Sequence, residues 1–313
     1  MRIGVLFGGD SPEREVSLRS GAAVCAALGE LPWKVCPLEV REAGEVLSLL
    51  DEADFFFVAL HGGWGEDGRL QALLEMAGKA YSGSGPEACF CAMDKEVSKA
   101  LFRERGVATP PGFTLGEGER LEGGKDPRAD ALFRLGTRVV VKPARCGSTV
   151  GVSVVDAPCD LARAVADARR FDEKVIVEGF IEGRELTATL LEEEGEVRAL
   201  PVVEILPASG FYSYEAKYTA GASRYETPAA LSAEEEADVS AAARAAHRAL
   251  DCRVYSRVDL RLDGKGRPFV LEVNTAPGMT ATSLVPKAAR AAGMAFSELL
   301  RRIVEEARSC RRR

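Results

Sequence analysis

Short apolar runs alternate with amphipathic stretches through the first third of the chain, predicting strand, loop and helix in turn. Residues 3–7, IGVLF, read as a strand, and Gly8 and Gly9 make the loop after it. A helix then starts near Ser11, Pro12 and Glu13, residue types suited to a first helical turn. Residues 54–60, DFFFVAL, carry no polar alternation and match a strand buried on both faces of a parallel sheet. HGGWGEDG at 61–68 is a loop, and 69–78 reads as a helix. The pattern describes a Rossmann-like doubly wound unit, whose ligands sit at the carboxyl ends of its strands. No GxGxxG follows the first strand, so a dinucleotide cofactor is not indicated.

Beyond this unit the pattern changes. A helix from about residue 92 to 105 meets a break at 109–112, and the polar stretch 116–127 reads as a surface loop. TRVVVK at 137–142 is a strand, RCGSTVG at 145–151 a loop of small residues, and 152–155 the returning strand. A helix through Ala168 precedes another strand, 174–178. From Glu185 an antiparallel sheet is expected, interrupted by the polar and aromatic segment 209–218. The Ala-rich stretch 232–250 is a helix opened by a capping box of Ser232 and Glu235.

Two further runs, YSRVDLRL at 255–262 and RPFVLEVN at 267–274, flank a DGKG turn and predict a hairpin. Strict alternation puts Val258, Leu260 and Leu262 on one face and Arg257, Asp259 and Arg261 on the other. In the return strand it sends Phe269, Leu271 and Val273 to the core and Glu272 and Asn274 to the opposite side. Asp259, Glu272 and Asn274 offer only oxygen ligands, which suits Mg²⁺ better than a soft metal. An isolated hairpin of this kind also reads as a salt-bridged outer face. The tight NTAPGM loop at 274–279, directly after these residues, favours a site that a substrate could reach.

Composition narrows the classes. A chain of 313 residues, 46% hydrophobic and 28% charged, has room for two or three subdomains around a large core. A formal charge of −7 argues against a nucleic-acid binder, and Arg311, Arg312 and Arg313 read as a solvated tail. No apolar run approaches a membrane span, and the N-terminus reads as a first strand rather than a signal peptide, so a cytoplasmic protein is expected. The eight cysteines show no CxxC pair or zinc spacing and read as reduced fillers. His247, in the Ala-rich helix, reads as structural.

The loop around Gly147, Ser148 and Thr149 can present N–H groups and hydroxyls to a polyphosphate, although most such loops are only hairpin turns. Lys95, Lys142 and Lys217 could add positive charge. Glu178 ends an apolar strand against which an adenine could lie, with Phe180 and Ile181 beside it, and Glu185 is placed for ribose hydroxyls. These residues together describe an ATP site between two small sheets.

The set resembles the ATP-grasp superfamily, and within it the D-alanine:D-alanine ligases, from Ile3 to Glu305. The motifs that carry the resemblance stand in order. They are LFGGDSPEREVS (6–17), ALHGGWGEDG (59–68), YSGSG (81–85), MDK (93–95), VKPARCGS (141–148), YEAKY (214–218), RVD (257–259) and LEVNTAPGM (271–279). The resemblance implies an α/β ATP-grasp fold with an N-terminal Rossmann-like domain. We expect a substrate-binding domain at 1–91, a central subdomain at 92–177, and a C-terminal subdomain at 178–313 with the metal and acceptor site.

It further implies a ligase that phosphorylates one D-alanine from ATP and couples the acyl phosphate to a second, for peptidoglycan. Two Mg²⁺ ions (Mn²⁺ substituting) would sit on Asp259, Glu272 and Asn274, and Lys95, Lys142 and Lys217 would neutralise phosphate oxygens. Glu13 would bind the first ammonium, with Ser148 and Tyr218 closing a loop over it. Arg257 and the Gly278 N–H would form an oxyanion site. Ser283 and the Leu284 N–H would hold the second carboxylate, and His61 reads as standing on the substrate side. A homodimer is expected. Ligases for D-lactate, D-serine or L-amino-acid acceptors, and a non-catalytic nucleotide-binding module, are the alternatives. The chain departs from the family at Cys146 in the phosphate loop and at Gly179 in the adenine hinge.

Overall fold

The computed structural model describes residues 1–121, 126–135, 138–208 and 221–310. Lys217 and Tyr218 lie outside them. The chain begins with β1 (Arg2–Gly8), α1 (Arg14–Leu28), β2 (Lys34–Val40), α2 (Glu45–Leu49), β3 (Phe55–Val58), α3 (Arg69–Met76) and β4 (Ala80–Tyr81). These strands form one parallel sheet in the order β2-β1-β3-β4. The run of three phenylalanines explains its central strand. Phe55 and Phe57 pack to one side, with Ile3, Val5 and Val24, while Phe56 and Val58 pack to the other, with Leu6, Trp64 and Leu70. Both faces are dry, as a continuous apolar run requires.

Next come α4 (Pro86–Met93), α5 (Lys95–Glu104), β5 (Gly112–Leu115), α6 (Pro127–Leu135), β6 (Val139–Pro143), β7 (Ser153–Val155), α7 (Leu161–Ala168) and β8 (Val175–Gly179). The Asp94 carboxylate caps α5 by accepting from the N–H groups of Glu96 and Val97. Strands β5 to β8 make an antiparallel sheet in the order β5-β8-β6-β7, with α6 and α7 over its apolar face. The sequence pattern missed β5 and α6. The polar segment read as one surface loop is bracketed by them, because a four-residue strand is too short for alternation to show.

The rest of the chain supplies β9 (Gly183–Glu193), β10 (Glu196–Ala199), β11 (Val203–Pro207), β12 (Ser223–Glu226), α8 (Ala233–Ala249), β13 (Tyr255–Asp263), β14 (Pro268–Asn274), α9 (Leu284–Ala291) and α10 (Phe296–Cys310). The strands form a six-stranded sheet, β12-β11-β9-β13-β14, with β10 paired to β9. The capping box of α8 is present in both directions, Ser232 to Glu235 and back. His247 on α8 is buried and bonds Ser256 through Nδ1 at 2.8 Å. From the far end of the chain, Leu299, Leu300 and Ile303 of α10 return to cover the first sheet. Among the described residues no helix is long and apolar enough to cross a membrane.

The hairpin β13–β14 departs from strict alternation. Asp259 pairs with Glu272, but Leu260 pairs with Val270, so Leu271 is an extra residue. This β-bulge reverses the parity of the strand before it. Val270 and Val273 are therefore the core residues, whereas Phe269 and Leu271, expected inside, are only partly buried, and Leu271 faces a cavity.

Candidate active site

Two adjoining cavities lie where the three sheets meet, of about 310 and 110 Å³. Glu13, His61, Ser148, Arg257, Asn274, Gly278, Ser283 and Leu284 line the larger one. Lys142, Glu178, Phe180, Ile181 and Glu185 line the smaller one, together with Leu271. Lys95, Asp259 and Glu272 line both. The sites named from the sequence are thus brought to one place from every part of the fold, apart from Lys217 and Tyr218.

At the junction the register of β13 and β14 decides the geometry. Asp259 lies opposite Glu272, and Arg257 opposite Asn274. The Arg257 guanidinium donates to both Asp259 oxygens, at 2.9 and 2.8 Å, and the Thr187 hydroxyl donates to the same carboxylate at 2.7 Å. Lys95, at the start of α5, donates to the Cys146 carbonyl at 2.8 Å and stands 3.3 Å from Glu272. Asn274 accepts from the Ala276 N–H, which starts the tight turn after the strand. Two carboxylates and an amide oxygen, beside the Arg257 and Lys95 side chains, form a hard, anionic donor set, and that chemistry fits a divalent ion such as Mg²⁺.

The larger cavity is closed by contacts between distant segments. The Ser148 hydroxyl donates to the Glu13 carboxylate, joining the β6–β7 loop to the start of α1. Ser148 and Thr149 hold φ of 54° and 60°, a left-handed conformation uncommon for non-glycine residues, and the Ser148–Glu13 contact lies at this turn. On the opposite wall, the Ser283 hydroxyl accepts from the Thr280 N–H at 3.0 Å and closes the loop ahead of α9, which Leu284 opens. His61 sits between these walls. Its Nδ1 reaches the Ala276 carbonyl at 3.1 Å, so that nitrogen carries the proton, and Nε2 accepts from the Ser20 hydroxyl at 2.9 Å. Ser20 in turn accepts from the Met279 N–H. His61 therefore lines the cavity while both its nitrogens fix the loop 276–279.

Behind the smaller cavity, the Lys142 and Lys99 ammoniums meet the buried Glu178 carboxylate at 2.6 and 2.8 Å. Burial pushes the Glu178 carboxyl up, but the two lysines outweigh it and hold it below the ordinary range. Burial pulls Lys99 down to about 8, against the pull of Glu178. Lys99 was missed in the sequence. The signal was its place one turn after Lys95 on the same face of α5. Arg261 was read only as part of a polar face. It donates to the carbonyls of Ile181 and Gly183 and to Glu185, at 3.0, 2.9 and 3.0 Å. The departures at Cys146 and Gly179 leave backbone in place, since Cys146 presents its carbonyl to Lys95 and Gly179 stays paired within β8.

Comparison with known proteins accounts for this assembly. The family model for the D-ala D-ala ligase C-terminus matches residues 101–305, and that for the N-terminus matches residues 41–84. This chain belongs to the D-alanine–D-alanine ligase family. A D-alanine–D-alanine ligase of Gloeobacter violaceus is 47% identical, over 97% of this chain and 99% of its own length. The structure of the D-alanine–D-alanine ligase of Bacillus anthracis complexed with ATP superposes with a TM-score of 0.85 at 35% identity, covering 100% of this chain and 98% of that one. A D-Ala:D-Ser ligase from Enterococcus faecalis gives a TM-score of 0.81 at 28% identity, over 98% and 99% of the two chains. Such neighbours carry the ATP-grasp fold, and so does this chain.

Proposed function

We propose that this chain is an ATP-dependent ligase that joins two D-alanines to D-alanyl-D-alanine, releasing ADP and phosphate, for cell-wall peptidoglycan. The observation that carries this reading is the shared wall. Lys95, Asp259 and Glu272 line both cavities, so a nucleotide in the smaller one meets a substrate in the larger one at a single charged junction. The division into a substrate domain and two ATP-grasp subdomains, at 1–91, 92–177 and 178–313, is part of the same proposal. So are cytoplasmic work and a homodimer.

Phosphoryl transfer asks the protein mainly for positioning and charge neutralisation. The purine lies against Phe180, Ile181 and Leu271, with the buried Glu178 at its polar edge and Glu185 towards the ribose. Lys142 and Lys95 meet phosphate oxygens. Asp259, Glu272 and Asn274 would hold Mg²⁺, which supplies charge neutralisation across the phosphates when bound. Glu13, fixed by Ser148, pairs with the ammonium of the first D-alanine and aims its carboxylate at the junction. That carboxylate oxygen takes the γ-phosphoryl group, giving an acyl phosphate and ADP.

Ser283 and the first N–H groups of α9 hold the carboxylate of the second D-alanine, because a helix start favours an anion. Its amine, once deprotonated, attacks the acyl carbon. Arg257 and the Gly278 N–H then stabilise the developing oxyanion, donors each worth roughly 10²–10³ in rate. Phosphate leaves and the amide remains. Mass spectrometry of a reaction containing only ATP, Mg²⁺ and D-alanine tests the reading directly by the appearance of the dipeptide.

A further inference from the structure

The two ATP-grasp sheets are joined by a short linker, 180–182, between β8 and β9, and this linker forms a wall of the smaller cavity. Charged side chains hold it from both sides. Arg138, just before β6, stacks on the Phe180 ring at 4.1 Å and donates to Glu182 at 3.1 Å. Arg261, from β13 of the other sheet, covers the same ring at 5.0 Å. It also donates to the Ile181 carbonyl, the Gly183 carbonyl and the Glu185 carboxylate.

Arg261 is only 9% exposed, so its charge is held by these acceptors rather than by water. Gly183 has a φ of 139°, and a Cβ there would stand 2.0 Å from the Leu262 carbonyl. The start of β9 is thus pressed against β13 beside Arg261. A planar guanidinium can serve three acceptors in fixed directions, which an ammonium cannot.

We propose that Arg261 is a positioning residue for the nucleotide: it sets the direction of Glu185 towards the ribose and holds the linker against the base. This rests on the ligase reading above. Its bonds to the Ile181 and Gly183 carbonyls fix the linker's backbone, and its bond to the Glu185 carboxylate fixes where that group stands beside the smaller cavity. Removing the guanidinium takes both of these restraints away at once.

The test is steady-state kinetics of Arg261→Met and Arg261→Lys, each alone and combined with Glu185→Gln, using ATP and 2′-deoxy- and 3′-deoxy-ATP. Thermal melting of every variant reports folding. The expected result for Arg261→Met is a KM for ATP raised about tenfold, with kcat and the KM for D-alanine within about twofold. Its preference for ATP over the deoxy nucleotides should shrink, and Arg261→Lys should fall between it and the wild type. In the Glu185→Gln background the change in preference over the deoxy nucleotides should largely vanish, since both changes weaken the Arg261–Glu185 contact, while the part of the KM change carried by the linker remains. An unchanged KM for ATP in a folded Arg261→Met protein overturns the proposal. So do additive effects of the two substitutions on the preference over the deoxy nucleotides, or a loss confined to kcat. If Arg261→Met does not fold, Arg261→Lys carries the same comparison. Failure of the wild-type protein to release phosphate would instead refute the ligase reading itself.

Discussion

The Lys95 ammonium stands 3.3 Å from the Glu272 carboxylate, at the point where the two cavities of the site share a wall. One residue opens helix α5 and the other ends near the tip of the last strand, so neither local segment makes the pair. In the proposed reaction, both face the phosphate that is transferred.

Replacing Glu272 by Gln keeps the shape and removes the charge. We expect turnover to fall by at least ~10²-fold, with the Mg²⁺ concentration for half-maximal rate rising, because a neutral amide balances a divalent ion poorly. Thermal melting should show the protein still folded. Full activity in folded Glu272→Gln would remove this residue from the metal set.

The Ser148–Glu13 contact separates two roles for Glu13, substrate binding and helix start. A carboxylate paired with a bound ammonium makes a charge-assisted hydrogen bond, stronger than a neutral one. Glu13→Gln should therefore raise the KM for the first D-alanine by about tenfold or more and leave the KM for ATP within about twofold. Equal losses for both substrates would favour a role in the α1 start alone.

His247 gives a stability prediction independent of catalysis. Burial depresses its imidazole to about 4, against an ordinary value of 6.5. Between those pH values the unfolded chain binds a proton that the folded chain refuses, so stability rises with pH through this window and is lost as pH falls through it. The difference amounts to roughly 3 kcal/mol across the window, from 1.36 kcal/mol per unit. His247→Gln should thus lose less stability than the wild type between pH 7 and pH 4, measured by denaturant melts at each pH. Parallel losses in the two proteins would show that His247 is not the group responsible.

Much of this arrangement is legible in the residues. The uninterrupted DFFFVAL run marks a strand covered on both faces, and the RVD and LEVN segments mark paired strands with acids on one side. What alternation could not show is the bulge at Leu271, which needs the partner strand to be counted. Contacts between distant segments are equally invisible. The grip of Lys99 on Glu178, and of Arg261 on Ile181, Gly183 and Glu185, follow from how α5, β8, β9 and β13 pack. The one-turn spacing from Lys95 puts Lys99 on the right face of α5, but no spacing names Glu178 or the acceptors of Arg261 as the partners. Strand β5 and helix α6 escaped because one is short and the other follows a polar stretch.

The central claim is that ATP is consumed to couple two D-alanines. Phosphate release from ATP and Mg²⁺, measured with D-alanine, with L-alanine and with no amino acid, tests it most directly. The account predicts rapid release with D-alanine alone, at one phosphate per dipeptide formed, and only background in the other two reactions. Equal release in all three, or release with D-alanine that yields no dipeptide, would contradict it.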